Sequence, residues 1–452
     1  MPDDIPLFGS RIVESSRSMG LKLMVVCGLA LMMTVPSFFV TELVAERTSR
    51  ATDVLEQISS YSGGQQTFLG PTLAIPYQIP GQIAGSPPAR GTYLVFPTTA
   101  TATLKTVTEE RRRSLFRVPV FRSDARLDAV FDLSAVPDQL AQAPELDWSR
   151  AEIVVGVSDA RGALADATLL VDGKTSVLVP AQVTPEITIG EESTGRTKLT
   201  LLGARIDAVR PGAKFNVASS LKFSGAQRIA VLAYGKTTQV MAQGDWPNPG
   251  FDGGFLPVRR IVNRNGFTAD WSVPFIARGV RAQGPMESMA GLQATELGTS
   301  FIEVANPYQS VSRSLKYVLL FLGLVFLSYF VLEVSTGKRV HPAQYVLVGI
   351  AQIIFYLLLL SLAERIGFDW AFLAAGGGTI VLLATNAAWV FSSWSAGRSA
   401  LATFAVLYTL IYLLLRMEDN ALLVGAIASF LAVAATMYFT RRVDWYGSAA
   451  AR

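Results

Sequence analysis

Five apolar runs follow one another through the carboxy-terminal third of the chain, at 315–334, 343–363, 370–391, 400–415 and 421–439, with only short polar breaks between them. Each approaches the roughly 20 apolar residues that cross a bilayer as a helix, with 400–415 the short one. Inside hydrocarbon the backbone must satisfy its own hydrogen bonds, so such runs have one stable form, the helix. A further apolar run at 21–44 stands far upstream, separated from the others by 45–314, which is mostly polar. The pattern predicts six crossings, with one large domain between the first and the second.

Composition agrees with a chain of two characters. Half of the residues are hydrophobic and 16% are charged, with a mean hydropathy of +0.37. That is too apolar for a soluble protein and too polar for a bare helix bundle. The formal charge of +4 is no argument for nucleic acid, because multispanning proteins collect Lys and Arg in their cytoplasmic loops. Cys27 is the only cysteine and His341 the only histidine. No intrachain disulfide can form and no Cys and His zinc arrangement is available, which leaves open only a carboxylate and carbonyl site for a hard cation; no cofactor and no catalytic metal is expected.

Basic residues set an expected orientation. Arg11, Arg17 and Lys22 precede or open the first run, which is longer than a signal-peptide core and lacks a small-x-small exit, and it reads as an uncleaved anchor. With the start inside, Lys338, Arg339, Arg398, Arg441, Arg442 and Arg452 fall in cytoplasmic loops or tail. Arg365 and Arg416 fall outside, each accompanied by acids: Glu364 and Asp369, then Glu418 and Asp419. Both termini are then cytoplasmic and the large domain is periplasmic. The expected organisation is a tail at 1–20, an anchor at 21–44, a periplasmic domain at 45–313, a five-span bundle at 315–439 and a tail at 440–452.

Within the domain, 43–60 lacks Gly and Pro and spaces Val44, Arg47, Val54, Leu55 and Ile58 as a helix does, with Glu46 and Arg50 at an (i, i+4) offset. From 67 to about 305 the texture changes to short alternating segments broken by turn residues. Strands are expected at 92–96, 151–157, 168–171, 197–202, 215–223, 227–234 and 266–273, with 80–91 as a loop. The fold class is therefore α+β: a six-span helical membrane protein carrying a large β-rich, sandwich-like domain.

Several stretches together resemble the CreD family of bacterial inner-membrane proteins. In the bundle these are Phe330-Val331-Leu332-Glu333 leading to His341-Pro342-Ala343-Gln344-Tyr345, then LLLSLAERIGF at 358–368, RMEDNALL at 416–423 and MYFTRRVDWY at 437–446. In the domain they are FLGPTLAIPY at 68–77, GVSDARG at 156–162 and DWPNPGFDGGFLP at 245–257, followed by 267–271. The resemblance runs in order over nearly the whole chain. It implies a multispanning cytoplasmic-membrane protein tied to envelope integrity and tolerance of envelope stress, often under two-component control. It implies no reaction, so no catalytic residue carries over. One departure is Asn248, where many relatives are expected to have histidine, and it weakens a metal or acid-base reading of that loop.

Candidate functional or docking residues follow from position. Glu364, Arg365, Arg416, Glu418 and Asp419 are expected at the outer mouths of the bundle, where they pair and cap helices, dock the β domain or form an entrance. His341 is expected to cap the third span, with pH sensing as the sharper alternative. Trp246 and Phe251 belong to a loop that is either tightly turned structure or an aromatic recognition surface. Deeper in the bundle stand Ser328, Gln352, Thr385 and Asn386, none of them ionisable. Gly376, Gly377 and Gly378 read as close helix packing rather than a broken helix. Two Ser-x-x-Lys pairs, Ser219 with Lys222 and Ser335 with Lys338, fail as nucleophile and base: the first on a strand, the second in a cytoplasmic loop.

The reading is a non-enzymatic inner-membrane protein that supports envelope integrity through its periplasmic domain. Membrane lipids, and at the domain envelope proteins or glycans, are the expected partners; nucleic acid is not. Two other classes stand beside it. A transporter or flippase would show a hydrophilic groove lined from Gln352 and Asn386, and an envelope-modifying enzyme would need an acid cluster among loops.

Overall fold

The first apolar run folds as two nearly continuous helices, α1 (Met19–Met32) and α2 (Thr34–Tyr61). The break at Met33 lies three residues before Pro36, whose nitrogen has no proton to give the preceding turn. Glu46 and Arg50 form the expected ion pair on α2, with Arg50 Nη2 2.5 Å from Glu46 Oε1. The later runs fold as α4 (Val318–Thr336), α5 (Pro342–Ile366), α6 (Phe368–Val390), α7 (Trp394–Arg416) and α8 (Ala421–Thr440), preceded by an amphipathic helix α3 (Pro307–Lys316). This computed structural model describes 19–441, apart from 80–88, 114–115, 137–138, 141–142, 184–186, 190–196, 208, 290, 302–306 and 417–420.

The chain divides into two compact units, Met1–Ala51 with Ala305–Arg452, and Thr52–Val304. Among the described residues of the first unit and α2, five helical segments are long and apolar enough to cross a membrane: 20–61, 318–336, 342–366, 368–390 and 394–415. To these α8 adds a sixth apolar helix of 20 residues. α1 packs on α4 and α5, α6 lies between α5 and α7, and α8 packs on α4 and α7.

The second unit is built from two large sheets around one core, with two small two-stranded sheets besides. The strands of the large sheets are β1 (Gln66–Ile79), β2 (Ala89–Val95), β3 (Thr99–Arg113), β4 (Phe116–Asp132), β5 (Glu152–Val157), β6 (Thr168–Val171), β7 (Lys174–Val177), β8 (Val179–Pro180) and β9 (Thr200–Ala204). They continue with β10 (Lys214–Ala226), β11 (Arg228–Leu232), β12 (Thr237–Gly244), β13 (Pro249–Gly253), β14 (Arg259–Asn263), β15 (Gly266–Val273), β16 (Gln283–Pro285) and β17 (Glu296–Phe301). One sheet runs β8-β9-β5-β1-β11-β17-β13 with β2 and β16 attached; the other runs β14-β15-β12-β3-β4-β10-β6-β7. Rings meet between the sheets, Phe68 on Phe223 at 5.6 Å and Phe121 on Phe301 at 5.1 Å.

Every expected strand overlaps an observed one, but many observed strands, β1, β3, β4, β12 and β17 among them, lie outside the expected segments. The longest hairpin, β3 with β4, is absent from the expected strands because its core face is Ala100 and Ala102 alternating with threonines, and alanine signals a strand weakly. Those small side chains leave room for Tyr234, whose hydroxyl lies 2.9 Å from the carbonyls of both Thr101 and Asp128. The expected loop at 80–91 is shorter at its end, since Ala89 to Gly91 pair with Ile79 to Tyr77 in β2; 80–88 lie outside the described residues. The expected strand at 197–202 is interrupted at Leu199, which is buried.

α2 ends at the turn that starts the β unit. Ile58 packs with Val118, Val120 and Ala226, and Gly63 follows at φ +88°. There a side chain has no room: a β-carbon on Gly63 would stand 2.5 Å from the backbone of Gly162. The Gln66 amide bridges the same junction, donating to the Gly63 carbonyl at 2.6 Å and the Asp159 carbonyl at 3.0 Å. Gly63→Ala therefore meets both a left-handed backbone and a backbone clash. Gly212→Ala, at φ +73° in open space, meets only the first, costing about 1 kcal/mol. The expected result in thermal unfolding of the purified protein is a midpoint drop for Gly63→Ala at least twice that for Gly212→Ala.

Candidate functional site

The polar groups of the bundle sort into two ends and a middle. At one end α4 stops at Gly337, which takes the left-handed conformation, and α5 starts at His341, whose Nδ1 accepts from the Ala343 N–H at 3.2 Å with Pro342 in the first turn. This short corner folds back over Glu333, which is fully buried. Glu333 Oε1 accepts from Lys22 Nζ of α1 and from the Val340 N–H at 2.8 Å, and Oε2 accepts from the Tyr345 hydroxyl at 2.8 Å. Three separate segments thus converge on one carboxylate. The network extends by ring contact from Tyr345 to Tyr329 at 5.7 Å, and the Tyr329 hydroxyl accepts from Asn386 Nδ2 of α6 at 2.7 Å. Beside it Lys338 Nζ donates to the Phe391 carbonyl at 2.5 Å, closing the turn after α6.

The middle is held by aromatic packing around Tyr408 of α7. Its ring stands 4.9 Å from Phe321 and 5.0 Å from Phe355, and its hydroxyl donates to Gln352 Oε1 at 3.1 Å. Gln352 Nε2 and the Tyr356 hydroxyl are buried there without a partner. At the far end the Tyr308 hydroxyl donates to Glu364 at 3.0 Å and the Tyr412 hydroxyl to Asp369 at 3.0 Å. Burial first, then the neighbouring Glu364 carboxylate, raises the Tyr308 phenol above its usual range, so it remains a donor at neutral pH. Between α6 and α7 lies a groove of about 420 Å³ that runs from Asp369 and Tyr412 inward to Ile380 and Ala405.

The expected site residues are not brought together as one cluster. Glu364 is half-buried under Tyr308, while Arg365 is exposed. Glu418 and Asp419 lie outside the described residues, as does the Arg416 side chain, so their facing across the outer mouths does too. Asn386 is bonded to Tyr329 and Gln352 to Tyr408, and neither lines the α6–α7 groove. Of the three glycines, only Gly376 meets a neighbour, Tyr408 at 3.1 Å from where its β-carbon would be; Gly377 and Gly378 face open space on an unbroken helix.

Glu333 is the residue that sequence reasoning passed over. A carboxylate inside the apolar run 315–334 was itself the signal, because an ionisable group in a span demands a partner. Its place next to the loop hid that.

In the β unit, Trp246 and Phe251 are half-buried on the core, Trp246 edge-on to Phe301 at 6.4 Å and Phe251 to Trp271 at 5.8 Å. Exposed large apolar side chains follow them in the chain, at Leu256, Val258, Ile261, Val262, Phe275 and Ile276, with Ile276 91% exposed. β14 carries two of these and forms an edge of its sheet. The turn bearing Phe275 and Ile276 is fixed by Arg278, which is buried against the Phe96 ring at 4.0 Å and donates to the Ala233 carbonyl at 2.6 Å. Burial lowers its guanidinium to about 10, leaving it charged at neutral pH. The Ser219 and Lys222 side chains lie on opposite faces of β10, one buried and one exposed. Ser335 and Lys338 each bond to different backbone carbonyls.

The sequence model of the family described as inner membrane protein CreD matches 18–446. A protein of Escherichia coli (strain K12) described as inner membrane protein CreD is 29% identical over 432 residues, covering 93% of this chain and 92% of that one.

Removing one member of a buried ion pair leaves the other without compensation, at a cost of about 3–5 kcal/mol. Glu333→Ala and Lys22→Ala are each expected to lower the unfolding midpoint of the detergent-solubilised protein markedly. The double variant should fall well short of the sum of the two losses. Additive losses would mean that the pair does not hold α1 to the bundle.

Proposed function

The chain belongs to the CreD family of inner membrane proteins, and from that premise we propose that it supports envelope integrity by non-catalytic binding at a periplasmic β unit carried on a six-span bundle. The Lys22–Glu333 contact supports this topology. It sets the start of α1 beside the end of α4, as expected for a chain that returns to the side it left with 52–304 across the membrane. Lys338 and Phe391 meet at the same end, whereas Tyr308, Glu364, Asp369 and Tyr412 belong to the other. Lys22, Lys338, Arg339 and Arg398 then mark the cytoplasmic face, with both termini there.

One observation carries the binding reading: a water-facing β unit displays six large apolar side chains around the edge strand β14. Ile261 and Val262 are consecutive on that strand and so project from its two faces, and large apolar side chains left in water at a sheet edge are surface that a partner can cover. An edge strand offers unpaired backbone groups, and a partner's extended segment can add to it with apolar side chains seated on both faces. That chemistry suits an envelope protein better than a glycan. Arg259 is paired with Asp270 at 2.8 Å, and Arg260 is exposed beside it. The partner segment is therefore apolar with acidic flanks.

The test is complementation of a deletion strain challenged with a β-lactam or detergent. The Val258→Asp, Ile276→Asp double variant of the full chain is expected to reach wild-type membrane levels and wild-type stability yet lose at least tenfold in survival. The β unit on an unrelated anchor is expected to restore tolerance. Full rescue by the double variant, with no rescue by the re-anchored unit, would move the function into the bundle.

A further inference from the structure

The groove between α6 and α7 is the feature of the bundle that helix packing alone does not explain. Its walls are Trp370, Leu373, Gly377, Ile380, Ala405 and Thr409, and its floor is the ring of Tyr408. Two glycines make it: Gly376 lets the Tyr408 ring approach, and Gly377 leaves open space where any side chain would fill it. Rigidity comes from behind, because Tyr408 is fixed by its bond to Gln352 and wedged among Phe321, Phe355 and Phe372. At about 420 Å³ it falls within the roughly 300–1,000 Å³ of sites that hold small ligands. Only one end is polar, where the Tyr412 hydroxyl donates to Asp369 beside the exposed indole of Trp370.

We propose that this groove seats one acyl chain of a membrane phospholipid, with the headgroup at the Asp369–Tyr412 rim. Depth selects that occupant. From Asp369 to Ile380 the wall follows α6 for about 16 Å at the helical rise, which is half of a hydrocarbon core about 30 Å thick. The groove therefore reaches from one interface to the middle of the bilayer, the reach of a single monolayer. Trp370 stands at the depth where aromatic residues favour the headgroup boundary. A chain lying on a flat helix surface touches protein on one side; here it is walled by α6 and α7 and floored by Tyr408. The added close contacts lengthen its stay relative to surrounding lipid. Under the orientation proposed above the lipid belongs to the periplasmic leaflet, but the site itself needs only that the bundle lies in a membrane.

Full-length protein purified in mild detergent is examined by native mass spectrometry, with Gly377→Leu to fill the groove. Gly378→Leu serves as control, because that glycine also faces open space yet lies outside the lining. The wild type and Gly378→Leu are expected to retain one phospholipid per chain, and Gly377→Leu at least tenfold less. Equal retention by all three, no retained lipid in the wild type, or a bound mass matching a free fatty acid would overturn the proposal. A second measurement on the wild type is independent of folding of any variant. A phospholipid carrying a photoreactive group midway along one tail should label Leu373, Ile380 or Thr409 in preference to Leu382 and Trp389, which are exposed on α6 outside the groove. Uniform labelling would equally overturn it. Loss of envelope tolerance plays no part in either readout, so failure here leaves the β-unit reading standing.

Discussion

A carboxylate taken out of water has to be met by donors, and in this bundle the donors for Glu333 come from places far apart in the chain. Lys22 supplies the opposite charge from α1, Val340 a backbone N–H from the corner after α4, and Tyr345 a hydroxyl from α5. Apolar packing among these helices is undirected, since lipid tails are as apolar as leucine. The carboxylate gives the packing a register: α1 fits against α4 and α5 only where Lys22 reaches it. From there the order spreads through Tyr345, Tyr329 and Asn386 to α6. Without that point of convergence the amino-terminal helix would be one apolar cylinder among others.

Much of the architecture was legible because its signals are local. Apolar length gave the helices of the bundle, and each lies within a few residues of its run, apart from α7, which begins six residues before the run at 400. Period-two alternation gave β10 and β15, and the absence of Gly and Pro with helical spacing gave the lower part of α2. Recognition of the family rested on order as well as content, since motifs from both units recur in sequence. Hidden were the features that depend on three-dimensional neighbours. β3 was missed because alternating Thr and Ala is chemically faint until Tyr234 and the facing sheet give its small residues a purpose. The role of Glu333 was missed because its partner stands in a different helix near the other terminus.

The glycines show the same division. Sequence can say that three consecutive glycines in a span favour close approach, yet in the fold each residue faces a different direction, 100° apart around α6. One admits a ring, one opens a groove and one faces open space. Likewise the aromatic segment around Trp246 advertised a surface, and the fold uses its rings as a seal over the core while the neighbouring aliphatic side chains face outward. Amino-acid type announced that something apolar was needed there, and neighbours decided which residues would be inside.

The separation of Lys22 from Glu333, 311 positions, also carries a timetable. At about 5–20 residues per second a ribosome needs roughly 15–60 seconds to pass from one to the other. During that interval α1 is already a helix in the bilayer with its lysine unpaired, and the intervening β unit is still arriving. Its central strand β1 pairs with β11, so that sheet cannot close until residue 229 and its neighbours have been made. The membrane core is therefore assembled last, by a helix that waits for its counter-charge. Biogenesis of such a chain calls for something to shelter α1 in the meantime, whether the insertion machinery or the lysine's own reach to the aqueous interface.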